Sequence, residues 1–127
     1  MYRNNFSEEN LFLFQSEAIK KAASEGSCVF VGRAADYILR EEPNAISIFI
    51  TADIESRIDN VSKRMGIDKE AARKFIDDKE DERSKYYNYY TGKKWGHASS
   101  YDLCVDSSIL GIEQTAEFIA NFIKAAK

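Results

Sequence analysis

Three short, nearly continuous apolar runs constrain this chain most: Ser27–Val31 (SCVFV), Ile46–Ile50 (ISIFI) and Leu103–Val105 (LCV). Unbroken rather than alternating hydrophobicity marks strands covered on both faces, the pattern of a parallel sheet between helices. Helical patterns fill the intervals. Ser7–Glu25 repeats Leu11, Phe14, Ala18 and Ala22 before Gly26, and Ala34–Glu41 must end before Pro43. Asp53 is placed to cap a helix ending at Gly66, and Asp68 a longer one from Lys69 to about Tyr90, with Gly92 beyond. Lys93–Ser100 reads as a loop, and Ile112–Ala126 as a last amphipathic helix. The expected fold is α/β: a three-layer parallel sheet with helices on both faces. Three strands are few for such a sheet, so apolar edges and helix faces are left in search of partners.

At 127 residues the chain has the length of one domain, and one proline with six glycines argues against disorder. Eighteen Lys and Arg against 21 Asp and Glu leave a net charge of −3, which gives no general support for nucleic-acid binding. No apolar run approaches the roughly 18 residues that span a bilayer, so no membrane partner is expected. Cys28 and Cys104 lie in apolar runs and read as buried free thiols in strands, in keeping with a reducing cytoplasm.

Two features suggest chemistry. Gly32-Arg33 follows the first apolar run, where ligands of open α/β sheets gather, and an arginine beside a glycine can fork onto a phosphate. On the long helix, Ala72, Phe75, Ile76, Lys79, Arg83, Tyr86, Tyr87 and Tyr90 share one stripe. Lys79 and Arg83 thus interrupt an apolar face. They either hold an anion such as a polyphosphate or pair with the neighbouring acids. Tyr86–Tyr90 and Trp95 either stack bases or, as such aromatics more often do, pack helix against sheet. His97, Ser99 and Asp102 fall within six residues on one loop, which does not make a catalytic triad, and the sequence contains no metal-ligand set.

Taken in order, the segments Cys28–Arg33 (CVFVGR), Asn44–Ala52 (NAISIFITA) and Asp53–Arg57 (DIESR) resemble the central strands of cytidylate kinases. Glu80–Gly96 resembles the lid of the cytidylate-kinase-like branch, and Tyr101–Gln114 the family's last strand and the start of its last helix. The resemblance covers nearly the whole chain, with the lid at about residues 68–97. It implies a partial P-loop kinase fold, and transfer of a phosphoryl group from ATP, with magnesium, to a nucleoside monophosphate. Lys79 and Arg83 would be the catalytic lid cations. Gly32 and Arg33 would meet the monophosphate, and Arg57 would lie near ATP.

Two positions depart from the cytidylate-using pattern. Ala34 stands where an aspartate follows the arginine, and Lys79 and Arg83 stand where the lid helix carries an arginine and an aspartate. Both carboxylates that would meet a cytosine amino group are absent. Nowhere is there a Gly-x-x-x-x-Gly-Lys loop to cradle the β- and γ-phosphates. The resemblance therefore implies the C-terminal part of a nucleotide kinase, inactive alone, with ATP and magnesium expected only in the complete protein. Its expected partners are a nucleotide substrate and either the N-terminal portion or a second copy of the chain. The competing reading is a non-catalytic module that binds a copy of itself or another chain through its sheet edge. A third is single-strand nucleic-acid binding through the tyrosines and Lys93-Lys94.

Overall fold

The structure, a computed structural model, describes residues 8–126. It divides into two compact units, one up to Ala45 and one from Ile46. The first holds helix α1 (Glu8–Glu25) and the single-turn α2 (Ala35–Ile38). Ser7, the expected start of α1, lies outside the described residues. Ala34, Ala35, Ile38 and Leu39 are buried in this unit.

The second unit holds β1 (Ile48–Thr51), α3 (Ile54–Met65), α4 (Lys69–Thr91), a 3₁₀ turn (Ala98–Ser100), β2 (Leu103–Asp106), α5 (Ser107–Leu110) and α6 (Ile112–Ala126). β1 and β2 are parallel, with Ile48 opposite Leu103 and Thr51 opposite Asp106. Asp102 fixes the start of this register: its carboxylate accepts from the Ser47 N–H at 2.8 Å, and its own N–H donates to the Ser47 carbonyl at 2.9 Å.

The hairpin of α3 and α4 begins and ends where its capping residues dictate. The Asp53 carboxylate accepts the Ser56 N–H and the Asp68 carboxylate the Ala71 N–H, each at 2.8 Å. Gly66 and Gly92, at φ 66° and 70°, close the two C-termini. Between the helices Ile58, Val61, Ala72 and Ile76 form a small core, flanked by Ile54, Ile67 and Phe75. Ala72 is fully buried, so the two backbones approach closely there, and each buried Ile or Val contributes about 1.5–3 kcal/mol.

Three expectations are corrected. Ser27–Val31 is not a strand: it joins no ladder, Val29 and Val31 are 92% and 90% exposed, and the sheet among the described residues has two strands rather than three. Hydrophobicity and β-branching favour extension, but a strand exists only through a hydrogen-bonded neighbour. Cys28 and Cys104 are exposed rather than buried. Cys28 loses its cover with the missing ladder, and Cys104 falls on the outward side of β2. Finally, α2 is one turn long instead of two, since Pro43 and the turns before it stop propagation.

Asp53 also carries a pH dependence. The Ser56 N–H, then the Ser56 and Ser108 hydroxyls, hold its carboxyl below the usual aspartate range. A carboxyl depressed on folding adds stability above the unfolded value and loses it as pH falls through the folded one. Asp53→Asn keeps a capping oxygen without the charge. It should lower the urea midpoint near neutral pH, with the gap to the parent closing in acid below the carboxylate range. A gap of constant size at every pH would show that Asp53 acts through geometry alone.

Candidate functional site

In the first unit, Gly32 and Arg33 form a turn of unusual backbone. Gly32, Arg33 and Ala34 have φ of 74°, 59° and 58°, three successive left-handed residues. Gly32 adopts this freely, whereas Arg33 and Ala34 each do so at a cost of about 1–2 kcal/mol. The turn is closed by the Ala35 N–H to the Gly32 carbonyl at 3.2 Å and by the Tyr37 and Ile38 N–H groups to the Ala34 carbonyl at 3.0 Å. Arg33 projects into solvent while Ala34 is buried, so the strained turn displays a guanidinium at the surface.

In the second unit the remaining site residues lie on the helical hairpin. Asp53 starts α3 and its carbonyl accepts the Arg57 N–H at 3.1 Å, which sets Arg57 one turn into the helix. The Arg57 guanidinium forms an ion pair with Glu80 at mid-α4. Their side chains are 29% and 38% exposed, the most sheltered of the ion pairs among the described residues. Lys79 is half-buried, 3.8 Å from Glu82 and with its ammonium 5.6 Å from the Phe75 ring centroid. Arg83, one turn further along the same face, is exposed and has no ion pair among the described residues. The two cations do not both point inward: Ala72, Ile76 and Tyr87 fill the buried side of α4. Lys79 thus has a neighbouring acid within reach, whereas Arg83 has no ion pair among the described residues.

The end of α4 is held by aromatic packing. Phe49 of β1 meets Trp95 edge-on at 5.1 Å and Tyr101 at 4.9 Å, and Tyr87 stacks on Tyr101 at 6.2 Å. At Gly96 the constraint on a side chain is the backbone, at φ 77°, since a Cβ there would lie in ordinary contact with the Phe49 ring at 3.4 Å. The Trp95 N–H donates to the Asn88 side-chain oxygen at 2.8 Å and the Gly96 N–H to the Tyr101 hydroxyl at 3.1 Å. Tyr87 and Trp95 are therefore packing residues, whereas Tyr89 is largely exposed. His97 meets Ser99 at 2.8 Å, but Asp102 is engaged with Ser47, so the three do not form a relay.

Sequence reasoning missed two elements. Glu80 gave no signal, because its partner is distant in sequence and acids surround it. The other is the polar join at the carboxyl ends of both strands. There the Asp53 N–H donates to the Ser108 hydroxyl at 3.1 Å and the Ser107 hydroxyl to the Thr51 carbonyl at 3.2 Å, while Asp106 accepts the Ser108 N–H at 2.9 Å. Asp106-Ser107-Ser108 is a capping signature that marks α5 in retrospect.

These features define the class: an α/β protein whose parallel strands are linked through a cation-bearing helical hairpin. The family follows from comparison. Residues 1–109 match the cytidylate kinase-like family, and the chain belongs to it. Similar curated proteins are the cytidylate kinases of Methanopyrus kandleri, 32% identical over 104 residues (76% of this chain, 54% of that protein), and Methanocaldococcus jannaschii, 30% over 108 residues (83% and 60%). That of Pyrococcus horikoshii is 33% identical over 107 residues (84% and 52%). The chain thus spans little more than half the length of these relatives. Among solved structures, an uncharacterized protein from Eubacterium ventriosum ATCC 27560 superposes with a TM-score of 0.88 at 30% identity. The match covers 91% of this chain and 66% of that one.

Proposed function

We propose that this chain supplies the lid and monophosphate-contact portion of a nucleotide kinase that moves a phosphoryl group from ATP to a nucleoside monophosphate. The observation that carries this reading is Arg83, an exposed guanidinium with no ion pair among the described residues, at the middle of a rigid, capped helix in a chain of the cytidylate kinase-like family. Phosphoryl transfer needs little covalent help from protein; it needs donors placed where charge develops on the transferring oxygens. Arg83, with Lys79 beside it, would supply them, Arg33 would grip the monophosphate, and Arg57 would meet the donor's phosphates.

ATP and magnesium belong, in this reading, to the complete protein. Among the described residues no group of three or more acidic, histidine or cysteine side chains could hold a metal ion. In this reading the chain's own residues would act as phosphate clamps. The cytoplasm is the compartment this chemistry suggests; among the described residues no helix is long and apolar enough to cross a membrane.

Two kinetic outcomes follow. Residues 1–127 with ATP, magnesium and each nucleoside monophosphate should form no diphosphate above a protein-free blank, and turnover that survives repurification would refute this. When a phosphate-binding-loop portion is joined in front, activity should appear. Arg83→Ala should then lower kcat/KM by about 2.7–4 kcal/mol, the value of one transition-state donor. Lys79→Ala should act in the same direction. Parental kinetics in both folded variants would reduce these cations to a solvated face.

Self-association is a second reading, favoured by the apolar side chains exposed on the first unit: Leu11, Leu13, Phe14, Val29 and Val31. Patches of this kind are uncommon on soluble monomers. Light scattering over a dilution series should show a dimer that dissociates on dilution. One monomeric mass at every concentration would exclude it.

A further inference from the structure

Among the described residues, two ion pairs cross from α3 to α4. Lys69 and Asp59 meet at 4.0 Å beside the turn, where both side chains are more than half exposed. Arg57 and Glu80 meet at the opposite, open end of the hairpin, and there the pair is sheltered. The apolar core of Ile58, Val61, Ala72 and Ile76 lies between these two points. The turn and the core hold the closed end together, with Lys69 and Asp59 an exposed addition. At the open end Ile54 packs against the core and Arg57 and Glu80 add an ion pair, with Glu80 flanked by Lys79 and one turn from Arg83.

We propose that the Arg57–Glu80 pair is an anion-sensitive clasp, in which a polyphosphate that takes Arg57 displaces Glu80 and frees the middle of α4. The inference rests on the reading of Arg57 as a phosphate contact. A guanidinium is a fork for carboxylate and phosphate alike, so Glu80 occupies it in the manner of a phosphate oxygen. The exchange favours the ligand, because a polyphosphate brings several charges against one carboxylate. Sheltered relative to the other ion pairs, this one is still about a third exposed to water, so it is worth little, salt weakens it further, and the clasp is easily opened. Once released, Glu80 remains on α4 as an unpaired carboxylate beside Lys79 and one turn from Arg83, so occupation of Arg57 is coupled to the charge that these cations face. Glu80 is a positioning residue in this scheme: it acts on the ligand only through Arg57.

The test uses the 127-residue chain with inorganic tripolyphosphate as probe, its binding followed by calorimetry at low ionic strength. Glu80→Gln keeps size and polarity without the charge, and should bind tripolyphosphate about two- to five-fold tighter than the parent. Arg57→Lys keeps the charge without the fork; it should bind more weakly, and adding Glu80→Gln to it should give a smaller gain. Hydrogen exchange in the parent should quicken around residues 77–84 when the probe binds, and should already be quick in Glu80→Gln. Three outcomes would overturn the clasp: unchanged or weaker binding by folded Glu80→Gln, a gain undiminished in Arg57→Lys, or no probe binding by any variant. None depends on turnover, so a failed kinase assay and a failed clasp remain separate results.

Discussion

Parallel pairing of β1 with β2 is the constraint on which the second unit depends. Parallel neighbours cannot be joined by a tight turn; the connecting chain must leave one end of the ladder and return to the other. Here that connection is the α3–α4 hairpin with its loop. This connection has a core of its own, formed by Ile58, Val61, Ala72 and Ile76. The Phe49, Trp95, Tyr87 and Tyr101 cluster then ties the returning end of α4 to β1. A 23-residue helix is about 34 Å long at 1.5 Å per residue, and it is anchored by the α3 core toward one end and by aromatic packing at the other. Its middle, with Lys79, Glu80 and Arg83, is where charged groups remain free to change partners.

The charges of α4 fall into two kinds. Lys74 with Asp78 and Lys85 with Asp81, at 3.0 and 2.8 Å, are neighbours one turn apart that form wherever an exposed helix alternates in sign. They are mutually satisfied and well hydrated, and add little to stability. Arg57 with Glu80 differs in kind, since it joins separate helices and is more sheltered. Arg83 differs again because its neighbours Asp81 and Glu82 are spent on Lys85 and Lys79. Counting acids near a cation would have called Arg83 neutralised, whereas it has no ion pair among the described residues.

What the sequence made legible was local, and what it hid was not. The caps Asp53 and Asp68 and the stops Gly66 and Gly92 placed α3 and α4 to within a residue, since capping is decided by the residue itself and its nearest amides. The last helix, Ile112–Ala126, was equally plain from its periodicity. Ser27–Val31 was misread because its composition specifies extension but not a partner, and pairing is a property of two segments. The left-handed backbone of Arg33 and Ala34 had no signal, as neither residue favours that region. Arg57 and Glu80 were separated by a whole hairpin. Candidate residues could be named from the sequence, therefore, but the contacts they make could not.

In an acidic chain, any hold on a phosphate would have to come from local geometry rather than from the overall field. With a net charge of −3, the protein does not attract anions from a distance, and salt confines each charge to about 8 Å at physiological strength. Only contacts at hydrogen-bond range then count, and these favour guanidinium over ammonium because its donors are fixed in a plane. Arg33 is exposed on a strained turn, Arg57 is sheltered and held by one carboxylate, and Arg83 is exposed on a straight helix. Lys79, the ammonium among the four candidate cations, is also the one whose charge lies partly over an aromatic ring. Each guanidinium is thus presented differently. Short-range contact at each of these guanidinium groups, rather than the sign of the whole chain, is what would decide whether an anion is held there.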